Sequence, residues 1–381
     1  MSVGRSCLAV QNPVRLDAHL GEGYGLVALR TNNPSFGRRA ATGRRVATLF
    51  AAVFCLSGLD LSARADPISE LRSVSVFKDA DLTKLTNGEV LASKGPAMSS
   101  SRGLSVETAY IVKAPVKTTY GLQTRWNPTG HPELKVFAQG DVSGRGSPSD
   151  FQNLASVRSN SSIKNFVDAT LKLPGDAAKL QLSNAEVKMF VPGGGGEGAM
   201  PSSVVAFWSK VLAGRAQSFA SGGLAGLPPY ETTGGVRVEN EVASLIRESG
   251  NVRSHFSSLI SSTPLGGGRG PGPSSQSWQL FDADGTAAVS LSASYGKPAG
   301  DGWQAADIQY YSSGGVYAVV TLYQLWPVKA GNQDATLVWR VDMTSASELG
   351  DLRGVERLGS GAAMMRAIQK FVKAFLRDSS G

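Results

Sequence analysis

The sequence predicts an α+β fold built from an antiparallel sheet, a long C-terminal helix and a mainly helical insertion. Three observations carry that prediction. Strand-like segments follow one another from Ser277 to Ser345, joined by Asp-Gly, Gly-Asp-Gly, Ser-Gly-Gly and Gly-Asn turns, and links this short join antiparallel neighbours. The closing segment 351–378 sets Val355, Leu358, Met364 or Met365, Ile368, Phe371, Val372 and Phe375 on one helical face, opposite Arg366, Lys370, Lys373 and Arg377. Between the early strands and the late ones, residues 151–275 carry helical spacing bounded by glycine-rich joints.

The chain opens with a leader. Residues 44–65, RRVATLFAAVFCLSGLDLSARA, combine a basic start, an apolar run and Ala63-Arg64-Ala65 directly before Asp66, which is the pattern of an export signal cleaved after Ala65. The run is shorter than the ~20 residues a spanning helix needs, and Gly58 and Asp60 interrupt it, so no stable transmembrane anchor is expected. The upstream 43 residues are basic and poor in acids, which leaves two readings open: a start nearer Arg38 or Arg44, or the first half of a bipartite signal. The corresponding destinations are the periplasm or the outside of the cell, and alternatively the thylakoid lumen.

Removing 1–65 changes the charge argument. The whole chain has 38 basic and 30 acidic residues; the leader holds eight arginines and three acids, so 30 basic and 27 acidic residues remain and the net charge falls from +8 to +3. With no long Lys/Arg block left, no nucleic-acid partner is expected. Cys7 and Cys55 both lie in the leader, so disulfides and cysteine-ligated metal are excluded from residues 66–381. About two fifths of the chain is hydrophobic, enough for a sizeable core.

In the first block, 66–150, strands are expected at Gly88–Lys94 and at Leu104–Lys113, where LSVETAYIVK alternates. Ala114-Pro115 then opens a helix, PVKTTYGLQTRW, stopped by Asn127-Pro128. In the insertion, helices are expected at Ser161–Leu173, Ser203–Ser221 and Val236–Ser261, the last interrupted at Gly250, with a short strand at Ala185–Val191. The late strands are WQLF (278–281), TAAVSLSASYG (286–296), WQAADIQYYS (303–312), GVYAVVTLYQLW (315–326) and ATLVWRVDMTS (335–345). The domain reading is therefore 66–150 with 276–381 as one α+β domain and 151–275 as an insertion.

The strand at 315–326 is apolar on both faces: Val316, Ala318, Val320, Leu322 and Trp326 on one, Tyr317, Val319, Tyr323 and Leu325 on the other. Something apolar must cover each side, either plain core or a ligand. In LVWRVD, Arg340 and Asp342 share the face opposite Trp339 and either project into a cavity or face solvent, with solvent as the default reading.

Catalytic motifs are sparse. His131, in NPTGHPELK with Glu133, is a candidate base, and His255 is placed on a helix surface. No G-x-S-x-G elbow, no H-E-x-x-H and no complete calcium loop occurs; Asp282–Gly285 reads as a hairpin turn. No cofactor and no metal is expected.

A strand ending in the Ala-Pro step, SVETAYIVKAPVKTTYGLQTRWNP at 105–128, followed by antiparallel strands and a long last helix, resembles the START-like superfamily, also called SRPBCC or helix-grip. The resemblance covers about 88–145 and 278–378. It implies a curved antiparallel sheet gripping the C-terminal helix, with an apolar cavity between them. Tyr317, Tyr323 and Trp326 are then candidate wall residues, with Met364, Ile368, Phe371 and Phe375 as the facing stripe. The implied function is an exported, non-enzymatic protein that binds or carries a hydrophobic small molecule or lipid. The alternatives are a cyclase- or hydrolase-like enzyme on the same scaffold, and an envelope protein-interaction module.

Overall fold

A computed structural model describes residues 66–379 apart from 99, 194–199, 269 and 353. The leader and its cleavage site lie outside the described residues. Eight strands form one antiparallel, curved sheet in the order β1-β2-β8-β7-β6-β5-β4-β3. They are β1 (Leu91–Lys94), β2 (Gly103–Val112), β3 (Val136–Asp141), β4 (Ser275–Ala283), β5 (Thr286–Ala299), β6 (Gly302–Ser312), β7 (Ala318–Ala330) and β8 (Gln333–Ser345). The α+β class holds.

The meander β4 to β8 follows from its turns. At the β4–β5 hairpin Asp284 and Gly285 both take positive φ, 54° and 81°, which short polar side chains and glycine tolerate and which a tight hairpin needs. β2 then adds to β8 over ten paired residues, from Gly103↔Ser345 to Val112↔Thr336.

Helices cover both faces. One face lies under the helices of 151–275, chiefly Ser161–Leu171, Ser202–Gly222 and Val238–Glu248, and shares a single core with them. Trp208 stacks on Phe166 with centroids 4.9 Å apart, and Tyr310 of β6 stacks on Phe219 at 4.0 Å. A buried ion pair, Arg215 Nη2 to Glu186 Oε2 at 2.7 Å, lies beside the Tyr311 ring. The other face receives the C-terminal helix, Gly354–Ser379, and the helix Val116–Arg125.

Both ends of the C-terminal helix are tied down. Near its start, Arg357 donates to the carbonyls of Leu349 (3.0 Å), Ser100 (3.2 Å), Gly103 (2.6 Å) and Ser101. Near its end, Asp378 accepts from Trp126 Nε1 at 2.7 Å and lies 2.8 Å from His131 Nε2, while Arg377 donates to Glu133 at 2.5 Å. Ile368, Val372 and Phe375 are buried against the sheet, whereas Leu358, expected on the apolar face, stays 60% exposed.

One sequence expectation needs correction, one strand was not foreseen, and one helix breaks at Gly250 as expected and once more at Phe256. Residues 185–191 hold no strand; Asn184–Val187 is a short helix started by a Ser183–Glu186 capping box, in which reciprocal side-chain bonds satisfy the free backbone N–H groups. The strand β3 was not expected, because VFAQGD lacks an apolar alternation and pairs only on one side, with a register shift at Val136/Ala138. The segment 236–261 breaks into Val238–Glu248, Asn251–His255 and Ser257–Ser261, with Gly250 at φ 50° taking the position a side chain would strain.

Candidate functional site

Strand β7 resolves the double apolar face. Val320, Leu322 and Trp326 join the core under the inserted helices, while Tyr323 and Leu325 join Ile368, Val372 and Phe375 of the C-terminal helix. The sheet and the C-terminal helix do not close completely on this second side. Between them lies a cavity of about 610 Å³.

Its walls and its floor differ in chemistry. Trp126, Phe371, Phe375 and Val372 form the helix side; Trp126 meets Phe371 edge-on at 4.7 Å and Phe375 at 5.6 Å. The sheet side is polar: Ser277, Gln279, Ser292, Ser294, Asp307, Gln309, Thr321, Arg340 and Asp342 point into it. That polarity departs from the apolar cavity the resemblance implies.

The floor is ordered by cross-strand register. Ser294, Asp307, Thr321 and Asp342 stand opposite one another across β5, β6, β7 and β8, so their side chains form one row on one face. Arg340, placed in solvent from the sequence, is buried, and its Nε and Nη2 each donate to Asp342 at 2.7 Å. Thr321 Oγ1 donates to Asp342 Oδ1 at 3.0 Å. The guanidinium also lies 4.8 Å from the Phe371 ring centre and 5.5 Å from that of Tyr323. Solvent is excluded because the C-terminal helix covers this face, a long-range contact that strand alternation does not encode.

Burial acts on each titratable group. It opposes the Arg340 charge, but the Asp342 carboxylate outweighs it and holds the guanidinium above its ordinary value. Asp307 is pushed up by burial, against hydrogen bonds from Ser294 (2.6 Å) and Tyr323 and the nearby Arg340. Its residual exposure is to the cavity itself. Burial also raises Tyr110 to about 12, so its hydroxyl, which accepts from Gln123 Nε2 at 3.1 Å, stays protonated. Two buried polar atoms of the lining, Gln123 Oε1 and Gln309 Nε2, have no hydrogen-bond partner among the described residues.

The seven residues singled out from the sequence separate. Tyr323, Phe371 and Phe375 line the cavity. Met364 and Ile368 belong to the same apolar cluster but lie beyond the cavity wall. Trp326 and Tyr317 are on the helical-layer side of the sheet, Trp326 stacked parallel to Trp339 at 6.5 Å and Tyr317 beside Tyr230. The sequence reading missed Asp307, Gln309, Tyr110 and Trp126, and put Arg340 and Asp342 in solvent. The available signal was the alternation of Ser292 and Ser294 in β5, both of which form part of the cavity floor.

The two histidines lie outside this cavity. His131 Nδ1 faces Arg377 Nη2 at 3.3 Å and its Nε2 faces Asp378, so both nitrogens serve the end of the C-terminal helix. His255, expected on a surface, packs edge-on against Trp339 at 5.4 Å with Nε2 2.9 Å from Gln324 Oε1, at a second cavity of about 530 Å³. Among the described residues no helix is long and apolar enough to cross a membrane, and no three His, Asp or Glu side chains are grouped to hold a metal ion. No family model matches the chain, and no curated protein matches it.

Proposed function

We propose that the protein is a START-like, helix-grip binding protein that is exported by its leader to the periplasm, the cell exterior or the thylakoid lumen, and there holds an amphipathic small molecule or lipid between its sheet and its C-terminal helix. The single observation that carries the reading is the 610 Å³ cavity, lined jointly by the floor of the sheet and by Trp126, Phe371 and Phe375. Its volume falls within the few-hundred to ~1,000 Å³ range of small-molecule sites, which combine an apolar wall with a few convergent polar groups. The antiparallel sheet, the Ala-Pro step after β2 and the closing helix support the superfamily assignment. An enzymatic reading through His131 gains no support, because its ring nitrogens are engaged with Asp378 and Arg377 away from the cavity.

Native mass spectrometry on protein purified from a lipid-containing host, followed by organic extraction, tests the proposal. A defined co-purifying molecule is expected, and Val319→Trp, which fills the cavity from the β7 side, should lose it while still unfolding cooperatively. A clean protein mass that persists after incubation with lipid extract would overturn the reading.

A further inference from the structure

The charges of the cavity floor specify which class of amphipathic molecule fits, an argument that rests on the binding reading above. Arg340 gives both Nε and Nη2 to Asp342, and Thr321 completes that carboxylate, so this pair is closed on itself. Asp307, one strand beyond Thr321 in the same row, receives only the neutral donors Ser294 and Tyr323. Among the described residues no cation is bonded to it, although the Arg340 guanidinium lies close enough to draw its carboxyl down.

The remaining charges of the lining do not supply one. Arg125, at the rim, turns its Nε to the Gly121 carbonyl of its own helix at 3.1 Å, and Asp141 adds a further carboxyl there. Three carboxyls thus face two guanidiniums, and among the described residues no lysine lines the cavity. A fatty acid or an anionic headgroup would bring a negative charge beside the Asp307 carboxyl, which is unfavourable. A neutral headgroup would leave that carboxyl as it is, whereas an ammonium group would pair it through a charge-assisted hydrogen bond. Gln123 Oε1, a buried acceptor without a partner among the described residues, is a second point where an N–H donor fits, while the unpartnered Gln309 Nε2 wants an acceptor elsewhere on the ligand, and Trp126 and Phe375 line the space for its carbon chain.

We propose that the cavity is selective for amphipathic amines, with the ligand ammonium seated at Asp307 and its apolar part along Trp126, Phe371 and Phe375. Raising of the Asp307 carboxyl by burial is consistent with a group that ionises fully when a cation arrives.

The test is calorimetric titration of the full chain with three probes that differ only in the headgroup: decylamine, decanol and decanoate, each below its micelle concentration. Decylamine should bind about tenfold more tightly than decanol, the effect of one net charge-assisted hydrogen bond of ~1.4 kcal/mol, and decanoate should bind most weakly. Asp307→Asn should bring decylamine to within about twofold of decanol, with folding of the variant checked separately by circular dichroism; Asp307→Ser serves if the asparagine variant does not fold. Decanol or decanoate binding as tightly as decylamine would overturn the amine assignment and leave the binding reading standing. An amine preference that survives in Asp307→Asn would overturn the role of Asp307. Binding of none of the three, by a protein that also releases nothing on extraction, would overturn both.

Discussion

Asp307 and Asp342 stand two strands apart in one cross-strand row, joined through Thr321, and only Asp342 is paired with a guanidinium. Asp342 is bonded to a guanidinium, whereas the Asp307 carboxyl is raised by burial among neutral donors.

The raised Asp307 carboxyl makes stability depend on pH. A carboxyl whose folded value lies above its unfolded one favours folding below the unfolded value and loses that contribution as pH rises through the folded value. Asp307→Asn should therefore be more stable than the wild type at neutral pH, with the difference vanishing below the ordinary aspartate range. Urea unfolding of both proteins from pH 3 to pH 8 checks this, and Glu107, also raised by burial, is common to both and cancels.

The Arg340–Asp342 pair should behave as a buried ion pair. Removing one partner leaves an uncompensated charge under the C-terminal helix, so Arg340→Ala should cost about 3–5 kcal/mol. Replacing both, Arg340→Met with Asp342→Leu, should recover most of that loss. Urea-induced unfolding of the wild type and the two variants measures the difference.

Trp339 and Phe371 should separate core from cavity wall. Trp339 is fully buried and its Nε1 donates to Glu107 at 2.9 Å, so Trp339→Ala should cost about 3–5 kcal/mol. Phe371 is only partly buried and borders the cavity, so Phe371→Ala should cost roughly 1–2 kcal/mol, with a disproportionate loss of ligand retention. Thermal unfolding and extraction of bound material, run on the same preparations, check both.

The helix end should loosen in acid. The bonds from His131 and Trp126 hold the Asp378 carboxyl below the usual range, and a lowered carboxyl gives stability above its unfolded value that is lost as pH falls through the folded one. Hydrogen-exchange protection over the last two turns, corrected for the intrinsic rate at each pH, should fall as pH drops below the aspartate range, and Asp378→Asn should show the reduced protection at neutral pH as well.

The meander, the last helix and most of the inserted helices were legible in the sequence because each carries its own period: alternation in β5 to β8, three-and-four spacing in 161–171 and 202–222. The doubly apolar β7 also announced that both faces of the sheet are covered. The cavity floor was not legible. Serine, threonine and aspartate at alternate positions look the same whether they face bulk water or a cavity roofed by a helix far away in sequence, and Arg340 and Asp342 were misplaced for that reason. Trp326 and Tyr323, three residues apart on a strand, point to opposite faces, so they could not share one wall; alternation alone contained that separation. β3 was missed because an edge strand needs little apolar pattern, and Gly140 within it marks instead the close approach of Trp278, whose Nε1 would lie 2.6 Å from an added Cβ.

A crystal structure of the protein as purified from a lipid-containing host tests the central claim most directly. The account predicts density for an organic molecule between the Trp126–Phe371–Phe375 wall and the Asp307–Arg340 floor. Ordered water alone in that space, in crystals grown both with and without added lipid extract, would contradict it.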